Sequence, residues 1–72
     1  MIMKKKKYYS LIGQDGNAFA LMGYTKMAMR ESGFSEEEIT AVLNEAKSSD
    51  YNHLLVTLNA AIQKCNDRNL PC

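Results

Sequence analysis

Gly33-Phe34-Ser35-Glu36-Glu37-Glu38-Ile39 ends one helix and starts the next. Ser35 stands three residues before Glu38. At that spacing a serine hydroxyl accepts the glutamate's backbone N–H, while the glutamate side chain reaches back to the serine's own N–H. Phe34 and Ile39 take the two positions of a hydrophobic staple around this start. The three glutamates fill the first turn, where the positive end of the helix dipole favours each by roughly 0.3–1 kcal/mol. Gly33 suits the left-handed residue that closes a preceding helix.

That preceding helix is expected over about 17–32. Asn17 serves as its N-cap, and no proline interrupts the run to Gly33. At about 100° per residue Ala18, Leu21, Met22, Thr25 and Met29 share one face. Ala20, Tyr24, Met27 and Ala28 carry apolar character around the back, and only the side of Lys26 and Arg30 is clearly polar. A helix apolar over most of its circumference needs neighbours on several sides. Two short companions leave part of it uncovered. Downstream, the capped helix is expected over 35–48, with a stripe of Ile39, Val42, Leu43 and Ala46. Asp50 then caps a third helix over 50–64, with Tyr51, Leu54, Leu55, Leu58, Ile62 and Cys65 on its apolar side. Tyr8 to Ile12 is rich in β-formers and runs into a Gly13 to Asn17 turn, so a short strand is expected there, paired with the C-terminal tail or with a second copy. The fold class is therefore mainly α, at the margin of α+β: a short N-terminal strand followed by three helices in a compact helical domain.

The 72 residues make a single domain, 1–72, with a basic segment at 1–7 and a tail at 66–72 expected to be flexible. A single core of this size supplies about 3–5 kcal/mol unless a disulfide, metal or partner supplements it. Cys65 and Cys72 are expected as reduced thiols, because nothing in the sequence resembles a complete secretory signal. The apolar stretch after Lys4 to Lys7 is too short for one, and no apolar run is long enough to span a membrane. A cytoplasmic protein without membrane attachment is expected. The net charge of +1 divides unevenly, +5 over residues 1–30 and −4 over residues 31–72.

Leu11-Ile12-Gly13-Gln14-Asp15-Gly16-Asn17-Ala18-Phe19-Ala20-Leu21-Met22-Gly23, then Glu38-Ile39, then Ala46-Lys47-Ser48-Ser49-Asp50-Tyr51 with Leu54-Leu55, resemble a set of short bacterial and phage proteins to which no activity is attached. The similarity covers roughly Leu11 to Leu58. Those relatives tend to have glycine where Ser49 stands, and an aromatic, acidic end where this chain has Gln63 to Cys72. The resemblance implies a bacterial or mobile-element setting and a strand-plus-helices domain, with no catalytic residues. The chain is also similar, more weakly, to ubiquitin-associated-type three-helix modules, through Gly33-Phe34-Ser35 and Met22-Gly23-Tyr24. Such modules bind partners through that loop and their last helix. Ser32 departs from their usual methionine.

For chemistry the sequence offers little. One histidine, two cysteines and a carboxylate run aimed at a helix end make no metal-ligand spacing, so neither a metal nor a cofactor is expected. His53 lies opposite the Leu54, Leu55 and Leu58 stripe and reads as a surface residue, and Cys65 reads as a small core residue. Gly13 to Asn17 leads into a helix N-terminus, an arrangement that can cradle an anion but that any tight turn also uses. Lys4, Lys5, Lys6 and Lys7 followed by Tyr8 and Tyr9 are candidate nucleic-acid contacts, since lysines displace counterions and aromatics stack on bases. No nucleophile with a base and no acid–base pair emerges, so an enzyme is not expected. The expected function is a self-associating protein-interaction or accessory module, working as a homodimer or with another protein. Its candidate interface residues are Phe19, Met22, Tyr24, Met27 and Met29, because methionine-rich surfaces adapt to partners.

Overall fold

The computed structural model describes residues 8–69 and holds three helices: α1 (Ala18–Glu31), α2 (Glu36–Ala46) and α3 (Tyr51–Asn69). The protein is mainly α. Lys4 to Lys7 and Leu70 to Cys72 lie outside the described residues.

Between α1 and α2 the chain does what the glutamate-rich stretch dictates. Gly33 adopts φ +91°, its N–H bonds the Arg30 carbonyl at 3.2 Å, and the Phe34 N–H bonds the Met29 carbonyl at 3.0 Å. These two bonds form a Schellman closure that satisfies carbonyls the end of α1 leaves over. A side chain at position 33 would need a left-handed backbone and would press on the Arg68 guanidinium, 3.3 Å from its Cβ. The capping box then forms completely: Ser35 Oγ accepts from the Glu38 N–H at 3.1 Å, and Glu38 Oε1 accepts from the Ser35 N–H at 2.9 Å. The Arg30 guanidinium grips Glu36 with two bonds of 2.9 Å and so ties the end of α1 to the start of α2.

Both carboxyls titrate below their ordinary 4.5, Glu36 through the hydrogen bond and charge of Arg30, and Glu38 through the Ser35 backbone N–H. A carboxyl depressed by folding stabilises above its unfolded pKa and loses that contribution as pH falls through the folded value. Urea denaturation should therefore show stability declining as pH drops below about 4.5, with part of the decline removed by Glu38→Gln. At neutral pH, Ser35→Ala should cost about 1 kcal/mol.

α1 and α3 run in the same direction and α2 runs against both. Ala18 and Met22 share a hollow with Tyr51 and Leu54, while at the other end Arg68 Nη1 donates to the Ser32 carbonyl at 3.0 Å. Leu21, Leu54, Leu58 and Ala46 fill one part of the core; Ala28, Met29, Ile39, Ala61, Ile62 and Cys65 fill the other. The stripes expected from sequence supply most of these residues. Ala61 joins them from beside the α3 stripe, and Tyr51 at its start is exposed. Thr25 is fully buried because its hydroxyl donates to the Leu21 carbonyl at 2.9 Å, which removes the cost of an unmade bond. Asp50 caps α3 through the His53 N–H, at 2.9 Å.

Two stretches meet at the C-terminal end of α3. α3 does not stop near Lys64 but continues through buried Cys65 and Asn66 to Asn69, so residues 66–69 are helix rather than tail. Tyr8 to Ile12 has no strand partner, and there is no strand among the described residues. One contact accounts for both. The Asn66 side-chain amide accepts the Tyr9 N–H at 2.7 Å and donates to the Tyr9 carbonyl at 2.9 Å, serving both main-chain groups as a neighbouring strand would.

Candidate functional site

Residues 8–12 form a strap laid along the groove between α1 and α3, running opposite to both, and the Gly13 to Asn17 turn joins it to α1. Tyr9 sits at the far end, buried, with its hydroxyl donating to Glu31 Oε1 at 2.8 Å and its ring edge-on to Tyr24 at 6.2 Å. The Ser10 N–H donates to Tyr24 Oη at 2.9 Å. Leu11 packs into both parts of the core, and Ile12 lies beside Leu55, Val56 and Asn59. Gly13, at φ +88°, turns the chain through a bond from the Gln14 N–H to the Leu11 carbonyl, and the Gly16 carbonyl accepts from the Tyr51 hydroxyl. Burial, followed by the bond to Glu31 and its charge, pushes the Tyr9 phenol up to about 12. It stays protonated, and the donor in the Glu31 bond is kept.

The strap delivers the chain to an end of the molecule that is unusually apolar. Ile12 is 89% exposed, Phe19 80%, Val56 63% and Tyr51 48%. Ile12 and Val56 share one hollow, and Phe19 and Tyr51 share another. Large apolar side chains grouped this way, unlike scattered ones, mark an interaction surface.

Among the five expected interface residues, Phe19 stands at this end. Met27 is partly exposed; Met22 and Tyr24 are half-buried against the core and strap. Met29 is corrected to a core residue: it is 2% exposed, because α2 and α3 close over the face it shares with Leu21 and Thr25. Ile12, Tyr51 and Val56 were not expected at a surface. Val56 carries a sequence signal, an apolar residue off the α3 stripe, whereas the residues around Ile12 read as β-formers.

Of the expected nucleic-acid contacts, Lys4 to Lys7 lie outside the described residues. Tyr8 is 71% exposed. Tyr9 is corrected: its ring and hydroxyl are engaged inside, so it has no face for a base to stack on. The Gly13 to Asn17 turn already uses donors that an anion would need. Asn17 Oδ1 accepts from Phe19 and Ala20, and the Asp15 carboxylate accepts from the Asn17 N–H at 3.1 Å. Phe34 of the Gly33 to Ser35 loop lies under the Arg68 guanidinium, 4.0 Å from the ring centroid, and Met22-Gly23-Tyr24 is inside α1.

His53 is half-buried rather than fully solvated. Its Nε2 lies 2.9 Å from Glu45 Oε2, which ties α3 to the end of α2. Cys65 is buried as expected, and burial raises its thiol pKa. Among the described residues no three His, Cys, Asp or Glu gather where they could hold a metal ion, and no helix is long and apolar enough to cross a membrane. A groove of about 230 Å³ between α2 and α3, floored by Met29, Phe34 and Ala61, has Glu38 and Lys64 at its rim and no convergent catalytic groups.

No family model, curated protein or solved structure matches the chain.

Proposed function

We propose that this domain is a protein-interaction or accessory module, of bacterial or mobile-element origin, that self-associates. The observation carrying this reading is the apolar end formed by Ile12, Val56, Phe19 and Tyr51, four of the six large apolar side chains exposed among the described residues. Fully burying one such side chain is worth about 1.5–3 kcal/mol. A domain this small has a thin stability margin of its own, so covering that surface with a second copy would be a substantial supplement.

Light scattering over a concentration series tests the reading. The chain should reach twice its own mass at high concentration. The double variant Ile12→Ser, Val56→Ser should remain monomeric under the same conditions, with helical content unchanged by circular dichroism. A wild-type chain that stays monomeric at millimolar concentration would overturn self-association.

A further inference from the structure

The groove between α1 and α3 has the chemistry of a receptor for an extended peptide. Asn66 reads the N–H and C=O of one residue, Tyr24 Oη takes the next N–H, a buried site takes an aromatic ring, and Glu31 takes its hydroxyl. Every one of these partners belongs to α1 or α3. None belongs to the turn that joins the strap to α1. The strap is thus a separable piece, bound by side chains and attached through a turn that depends on Gly13 at φ +88°.

We propose that this groove takes the Tyr8 to Leu11 segment of a second copy of the chain, the two copies exchanging straps reciprocally about the Gly13 to Asn17 turn. An exchanged strap makes the same contacts as a resident one, so the two arrangements differ mainly at the turn and in what the copies bury against each other. Here the second difference favours exchange. Opening the turn brings the N-terminal ends of α1 and α3 of both copies together, and that is where Ile12, Phe19, Tyr51 and Val56 are exposed. The occupant is identified by the resident segment itself: an aromatic residue with a hydroxyl, a small residue and an aliphatic one in extended conformation. This proposal rests on the self-association reading and specifies its mechanism.

Gly13 provides a clean test, because a Cβ there meets nothing within 4 Å while its φ is one that an L side chain resists. Gly13→Ala therefore penalises the closed turn without touching the strap or the groove. With exchange, both turns of the dimer are relieved, and the dimer Kd should fall roughly tenfold or more. In parallel, an equal mixture of ¹⁵N-labelled and unlabelled wild-type chains should show isotope-filtered contacts between the Asn66 side-chain amide of one copy and Tyr9 of the other. A dimer with unchanged or weaker affinity in Gly13→Ala, and with Asn66 to Tyr9 contacts only within one chain, overturns strap exchange while leaving self-association standing. A strictly monomeric wild type overturns both.

Discussion

Asn66→Ala is expected to lower the unfolding free energy by about 2–4 kcal/mol, because it strands two buried main-chain groups at once. The Tyr9 N–H and C=O each have one partner at hydrogen-bond distance, and both bonds go to the Asn66 amide. Asn66 is 4% exposed and Tyr9 is buried beside it, so water does not readily replace what alanine removes. Against a stability of about 3–5 kcal/mol for a core of this size, such a loss leaves the chain close to unfolded at room temperature. Urea denaturation followed by circular dichroism measures it. Asn66→Asp should also be destabilised, since it keeps an acceptor for the Tyr9 N–H but turns a second acceptor towards the Tyr9 carbonyl. Asn59→Ala, at an exposed position on the same helix, should stay within about 0.5 kcal/mol of wild type. If Asn66→Ala costs under about 1 kcal/mol, the strap peels away cheaply and its main chain is rehydrated, which contradicts its role as a structural part of the core.

The parts of the fold that were legible in the sequence are those governed by neighbours a few residues apart. The Ser35 and Glu38 box, the Gly33 closure, the Asn17 and Asp50 caps and the stripes of all three helices depend on local hydrogen bonds and on the helical repeat. All form in the structure, except that Tyr51 at the start of the α3 stripe is exposed. The strap depends on a contact between Tyr9 and Asn66, 57 residues apart, and no local pattern announces that pairing. One local rule gave the wrong answer because of it. Asn66 has low helix propensity and precedes a polar stretch, which suggests a fraying end; the tertiary bond instead extends α3 around it. Tyr8 to Ile12 has strand composition and needs main-chain partners, which suggests a sheet. A single asparagine side chain meets that need at Tyr9. For the candidate site, Phe19 was readable from its position and Val56 from its place off the α3 stripe, but the exposure of Ile12 was not. It follows from where the strap turns.

Met29→Ala and Phe19→Ala are expected to separate core from surface on the same helix. Met29 is packed among Ile39, Ile62 and Cys65, so truncation leaves a cavity that costs about 2–5 kcal/mol, only slightly offset by the better helix propensity of alanine. Phe19 is 80% exposed, so its truncation should leave monomer stability within about 0.5 kcal/mol of wild type. The reason lies in helical phase. Phe19, Lys26 and Arg30 recur at i, i+7 and i+11, which puts Phe19 on the same face as the two basic residues, while Met29 falls with Leu21 and Thr25. An aromatic residue on a charged face has no core to enter, and its burial awaits another surface. Phe19→Ala should accordingly weaken the dimer in a light-scattering dilution series while its urea midpoint, measured below the dimerisation range, stays put. Met29→Ala should shift the urea midpoint at every concentration. If both variants lose folding stability equally, Phe19 is covered within the single chain and the apolar end loses one of its four members; if neither weakens the dimer, the contact between copies lies elsewhere.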